Sequence, residues 1–171
     1  MRIVARQLRM ARLRRAALAM AMAFGLVTTS ASAQAPVAGN AAVLAANARF
    51  YAAINAMFKG DAGPIEAVWS HADDVTYMGP SGAFDAGWSA VLKDWEAQAA
   101  QKLGGKVEPV EVHVIVGQNL AVVNDYEQGE NTNADGKVQQ LRLRATNIFR
   151  KEGGEWKMVG HHTDVLPYLA K

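Results

Sequence analysis

The stretch Leu141–Asp164, LRLRATNIFRKEGGEWKMVGHHTD, decides the fold. It reads as a β-hairpin: an alternating strand, the turn Glu152-Gly153-Gly154-Glu155, and a second strand carrying Trp156 and the pair His161-His162. Side chains on a strand alternate between its two faces. Leu141, Leu143, Ala145, Asn147 and Phe149 therefore share one face, with Arg142, Arg144, Thr146, Ile148 and Arg150 on the other. The apolar row has to be buried against another layer, and Asn147 is its one polar interruption. A mostly apolar wall with a few placed polar groups is how a small-molecule pocket is lined. Counting from Trp156 and Met158 as inward residues puts His162 inside and His161 outside.

Upstream of the hairpin the same reading continues. Val110, Val112, Val114 and Val116 alternate with polar residues, and Leu120–Gln128 forms the next strand. Before these strands the spacing is helical. Leu44, Ala48, Tyr51, Ile54 and Phe58 mark a helix over 41–59, capped by Asn40 and stopped by Gly60-Asp61. Pro64 opens a short second helix, Val75–Met78 is a brief strand, and Trp88, Val91, Leu92 and Trp95 stripe a third helix over 86–102. Gly104-Gly105 suits a glycine cap at its end. Helices first and four antiparallel strands last is the α+β pattern: a curved, cone-shaped antiparallel sheet packed on three helices.

The first 33 residues stand apart. Arg2, Arg6, Arg9, Arg12, Arg14 and Arg15 precede the apolar run 16–27, and Ala31-Ser32-Ala33 is a small-residue cleavage site, so 1–33 reads as a signal peptide. The run is shorter than the roughly 20 residues that span a bilayer. The expected mature chain is periplasmic or secreted, with no membrane span, a mobile leader at 34–40 and a single domain from Ala41 to Lys171. Both general-secretory and twin-arginine export (Arg14-Arg15) are open. All six leader charges are Arg, so the mature chain keeps 12 Lys and Arg against 16 acids, formally −4 where the precursor is +2. That balance gives no support for nucleic-acid binding. Cysteine is absent, so the exported domain is expected to stand on its hydrophobic core.

Several strings resemble the SnoaL-like and ketosteroid isomerase-like proteins of the nuclear transport factor two-like superfamily. They are Phe50-Tyr51-Ala52-Ala53-Ile54-Asn55 with Gly60-Asp61, then Ala72-Asp73-Asp74-Val75-Thr76 with Pro80 and Gly82. The third is Phe149-Arg150-Lys151-Glu152-Gly153 followed by Trp156-Lys157-Met158-Val159 and His162. The resemblance covers the mature chain and implies the cone fold, while that superfamily hosts isomerases, cyclases, dehydratases and non-enzymes. It implies a general-base aspartate before the Pro after the first strand, where this chain has Gly79. It implies an oxyanion tyrosine at a helix position that falls on Phe50, one step from Tyr51. Steroid isomerisation by that mechanism is therefore not expected. The hairpin also resembles the association domain of calcium/calmodulin-dependent kinase II, whose pocket arginines match Asn124 and Asn147.

The candidate pocket residues are Tyr51, Trp69, Tyr77, Trp88, Asn124, Tyr126, Asn147 and His162. Asn147, as a buried amide, is expected to find its partner in a ligand or water, so that Asn147→Leu would change stability by less than about 1 kcal/mol. His162, assisted by Asp164, is the candidate acid/base residue of a lyase, isomerase or hydrolase. Each has a plainer alternative: a hydrogen-bonded core histidine, an exposed strand face, a tryptophan stripe that is simply core. The ligand expected is small, apolar or carbonyl-bearing. No metal is expected, because His71, His113, His161 and His162 lack ligand spacing, and no cofactor fingerprint occurs. The outward row Arg142, Arg144, Thr146 and Ile148 is the expected face of a homodimer. A non-catalytic structural or dimerisation module remains the competing reading.

Overall fold

A computed structural model describes residues 34–133 and 135–165; the expected signal peptide lies outside them. Helix α1 is Gln34–Met57, α2 Gly63–Val68 and α3 Trp88–Gln101; the strands are β1 Thr76–Met78, β2 Phe84–Ala86, β3 Lys106–Val116, β4 Leu120–Thr132, β5 Val138–Glu152 and β6 Glu155–Val165. They form one curved six-stranded sheet in the order β2-β1-β6-β5-β4-β3. Every neighbouring pair is antiparallel except β1 with β6, which is parallel. The α+β cone expected from the sequence is the fold. Short turns generate the β3–β6 meander; at the opening hairpin Gly153 and Gly154 both take positive φ, 57° and 92°, as a two-residue hairpin turn requires.

Helix α1 crosses the inner face of the sheet and packs against β3 and β6. Its Val43, Phe50, Ile54 and Met57 are buried with Trp69 after α2, Val91 and Trp95 of α3, and Val123, Phe149 and Met158 of the sheet. Phe50, Trp69 and Trp95 meet edge-to-face or tilted at 6.1–6.5 Å, an arrangement that adds quadrupole attraction to area burial. The helix begins earlier than expected. It starts at Gln34, so the stretch foreseen as a leader and the foreseen cap Asn40 lie within it, with Pro36 in its first turn where the missing N–H costs nothing. At the end of α3 the left-handed residue is Lys102 (φ 49°), ahead of the glycines expected to cap it.

Two bulges set which residues face inward. In β6, Ile148 pairs with Gly160 and Phe149 with Met158, leaving Val159 as an extra residue. An extra residue reverses the alternation beyond it. Trp156 and Met158 point inward as expected, but past Val159 the inward residues are His161 and Thr163. The second bulge lies between Val110 and His113 of β3, where Glu111 has φ 56°. Val110, Val112, Val114 and Val116 therefore do not share a face: Val114 and Val116 pack on the core, while Val112 is exposed.

Candidate functional site

Asn47 and Tyr51 lie one turn apart on α1, and both aim at the sheet. Opposite them the inner residues of β4, β5 and β6 are Asp125, Glu127, Asn147 and His161, all buried. The Tyr51 hydroxyl donates to Asp125 Oδ1 at 2.7 Å and stands 3.2 Å from Glu127 Oε1. Asn147 Nδ2 donates to Asn47 Oδ1 at 2.9 Å and lies 3.3 Å from Tyr51 Oη. Because that amide nitrogen faces acceptors, Asn147 Oδ1 must accept, and it does so from His161 Nδ1 at 2.6 Å. The imidazole therefore carries its proton on Nδ1 and turns the bare Nε2 toward Glu127 Oε1, 3.6 Å away.

Burial governs the charge of this cluster. It pushes the Glu127 carboxyl up to about 8, with the Asp125 charge adding to the effect, and pushes Asp125 up to about 6 against hydrogen bonds from Tyr51 and Asn47 that favour its anion. It pushes His161 down to about 3, helped by His162, and raises the Tyr51 phenol. At neutral pH these shifts leave the Glu127 carboxyl protonated and the His161 imidazole neutral.

This pair forms the polar end of a cavity of about 130 Å³. Its walls are Ile54, Met57 and Phe58 of the α1 end, Tyr77, Trp95, Gln98, Leu141 and Leu143, with Asn131 and Thr163 as further polar groups. Among the described residues Thr163 Oγ1 and Asn131 Oδ1 are buried there without a hydrogen-bond partner. The volume is close to that of an engineered apolar cavity, about 150 Å³, that holds benzene. It suits a single-ring molecule. Among the described residues no group of three or more His, Asp or Glu is placed to hold a metal ion, and no helix is long and apolar enough to cross a membrane.

The sequence profile of the SnoaL-like domain family matches residues 43–167. The chain belongs to the SnoaL-like family. Among solved structures, a candidate dehydratase of the NTF2-like family from Streptomyces avermitilis is 24% identical with a TM-score of 0.69, covering 77% of this chain and 99% of that one. A candidate calcium/calmodulin-dependent protein kinase type II association domain from Thiobacillus denitrificans is 30% identical over 72% of this chain and 94% of its own, with a TM-score of 0.56. An NTF2-like superfamily protein from Salmonella enterica shares 15% identity, covers 77% and 95%, and has a TM-score of 0.67. No curated protein sequence matches the chain.

Within this SnoaL-like domain the residues singled out from the sequence divide three ways. Tyr77 lines the cavity, and Tyr51 and Asn147 stand behind it in the polar cluster. Trp69 is core, and Trp88 packs beside it and stacks on His71 at 4.4 Å, so neither tryptophan reaches the cavity. Asn124, Tyr126 and His162 are corrections: all three sit on the outer face. Asn124 bonds Thr146 across β4–β5, Tyr126 pairs with Arg144, and His162 Nε2 lies 3.3 Å from Asp164 Oδ1 with both side chains nearly half exposed. The Val159 bulge is the reason for His162. For β4 the reason is register: Val123 opposes Asn147, so the odd-numbered residues face in. Sequence reasoning missed Asp125, Glu127 and His161 accordingly. Asn147 also differs from expectation, since its partners are protein side chains. Of the positions implied by the resemblance, Phe50 is core, Tyr51 delivers the hydroxyl, and Gly79 has no room for an aspartate: a Cβ there would lie 2.5 Å from the Tyr77 hydroxyl.

Proposed function

We propose that this SnoaL-like domain binds a small, uncharged, largely apolar ligand in the cone cavity and exchanges a proton with it through Glu127. One observation carries the reading. A buried carboxyl whose pKa is held near 8 faces both an apolar cavity and the bare nitrogen of a neutral imidazole. A general acid/base works best when its pKa lies near the operating pH, and Glu127 can both give and take a proton there. His161 turns its unprotonated nitrogen toward Glu127 at 3.6 Å, and Asn147 fixes its tautomer. The acidic pair Asp125 and Glu127 disfavours anionic ligands. The reaction class is an isomerisation or elimination at a carbon made acidic by a neighbouring carbonyl. Incubation with cyclohexanone in D₂O near pH 8, followed by NMR, tests it. Loss of α-hydrogen signal above the buffer rate, abolished by Glu127→Gln, is the expected result. An exchange rate unchanged by that substitution would refute the acid/base role.

Two further parts of the reading concern the whole chain. We propose a homodimer through the outer sheet face, where Arg142, Arg144, Thr146 and Ile148 run outward beside Val122 and Tyr126. The name of the Thiobacillus denitrificans relative, an association domain, supports a contact-forming role. Light scattering at high micromolar concentration should give twice the chain mass, and Arg144→Glu should halve it. We also propose export with cleavage after Ala33, on the order of arginine-rich, apolar and small-residue segments at 1–33. Intact-mass measurement on protein from the native host should return a chain beginning at Gln34.

A further inference from the structure

We propose that the Tyr77 hydroxyl is the group that reads the ligand, donating its proton to the acceptor oxygen of an uncharged carbonyl compound held in the cavity. The proposal rests on the ligand-binding part of the reading above and adds which oxygen is recognised and by what.

The argument begins with Gln98 on α3. Its Nε2 lies 2.6 Å from Asp94 Oδ2 and 2.9 Å from Tyr77 Oη. A carboxylate oxygen accepts only, so the amide must present its nitrogen on that side, and the flipped amide would set two acceptors against each other. The two amide hydrogens are then both committed, one to Asp94 and one to Tyr77. Tyr77 Oη is therefore an acceptor in this contact, and among the described residues no acceptor takes its own proton. Tyr77 and Gln98 both line the cavity. The unspent proton belongs there. Burial raises the Tyr77 phenol well above its ordinary value, so the group remains a donor across the physiological range.

Two neighbouring features agree. The Tyr77 ring lies parallel to that of His161, at 5.7 Å and 6° between planes, so the phenol and the Glu127–His161 pair border the same cavity. At Gly79 a side chain would occupy the place of the hydroxyl, since its Cβ would fall 2.5 Å from Oη and 2.8 Å from Cζ. The absence of a side chain at 79 is what lets Tyr77 present its hydroxyl. The residue that lacks an acid and the residue that supplies the donor are two halves of one arrangement. Thr163 Oγ1, buried on the same wall without a partner, is a second hydroxyl available to the same ligand.

A matched pair of ligands tests this: cyclohexanone and methylenecyclohexane, which share shape and differ by O against CH₂. Both are benzene-sized. Binding to the full chain is followed by ligand-observed NMR, and the carbonyl stretch of bound cyclohexanone by infrared difference spectroscopy. The ketone-to-hydrocarbon affinity ratio of wild type should fall about tenfold in Tyr77→Phe, the value of one hydrogen bond, and the lowered stretching frequency of the bound ketone should return to its value in an apolar solvent. Gly79→Ala is the independent variant: it keeps the phenol and displaces it, and should lower the ratio as well, whether or not Tyr77→Phe folds. A ratio and a stretching frequency unchanged by both substitutions overturn the assignment and leave the pocket standing. Failure of both ligands to bind wild type overturns the pocket reading and the assignment with it.

Discussion

His161 and His162 are neighbours in the chain and opposites in the fold. His161 is 4% exposed, bonded to Asn147 at 2.6 Å, and faces Glu127; the side chain of His162 is 42% exposed and faces Asp164 at 3.3 Å. Both pairs are an imidazole beside a carboxylate. On the outer face water solvates the charged forms and the pair is an ordinary surface contact, worth little. On the inner face burial suppresses both charges, leaving a neutral carboxyl beside a neutral ring. The same two side-chain types make a solvated surface contact or a buried neutral pair according to which face of one strand they occupy. A single residue, Val159, sets the face.

The sharpest way to break this contrast is Asn147→Leu, which strips a donor from Asn47 and an acceptor from His161 together. It should cost about 1–3 kcal/mol in the urea midpoint, because the orphaned groups stay buried. A change below about 0.5 kcal/mol would mean that the cluster is satisfied by water.

The second expectation is a pH dependence whose sign is fixed by the inner face. Glu127 is held near 8 against an ordinary 4.5 and Asp125 near 6 against 3.8, so the folded state binds their protons more tightly and stability falls as pH rises through those windows. His161, near 3 against 6.5, acts the other way: the folded state binds fewer protons, and stability rises with pH up to 6.5. Between pH 6.5 and 8 Glu127 is unopposed. Stability should decline there by about 2 kcal/mol, and Glu127→Gln should flatten the slope. The smallest effect completes the contrast. His162→Ala on the outer face should move stability by less than about 0.5 kcal/mol and leave the pH slope intact.

The fold was legible because its signals are local and repeated. The Glu152–Glu155 turn, the apolar row on β5 and the helical stripes of α1 and α3 each specify their own element, and together they admit one layer arrangement. The site was only half legible. Asn147 and Tyr77 announce themselves as polar groups on apolar faces, and Tyr51 by its place on α1. The face of β4 does not: Leu120 and Val122 are as apolar as Ala121 and Val123, so alternation alone favoured the wrong set. Only pairing with β5 decides it, and the outcome buries Asp125 and Glu127 against the usual preference of carboxylates for water. The Val159 bulge left no mark either, since Met-Val-Gly-His reads as continuous strand. An acidic pair in a strand whose other face is equally apolar is the signal that could have raised the alternative.

The cluster that joins Asn47 to Asn147 links residues 100 positions apart, and Tyr51 to Asp125 spans 74. The β3–β6 meander, by contrast, closes through turns of a few residues and can zip from its own hairpins. Joining distant segments carries the larger loop-closure entropy, so those contacts form late on the way to the native state. Contacts absent from the folding barrier act mainly on how fast the native state comes apart. Asn147→Leu should then accelerate unfolding several-fold and leave the refolding rate nearly unchanged. On that order the sheet forms before the site, and the buried Glu127–His161 pair is sealed only by the return of the first helix.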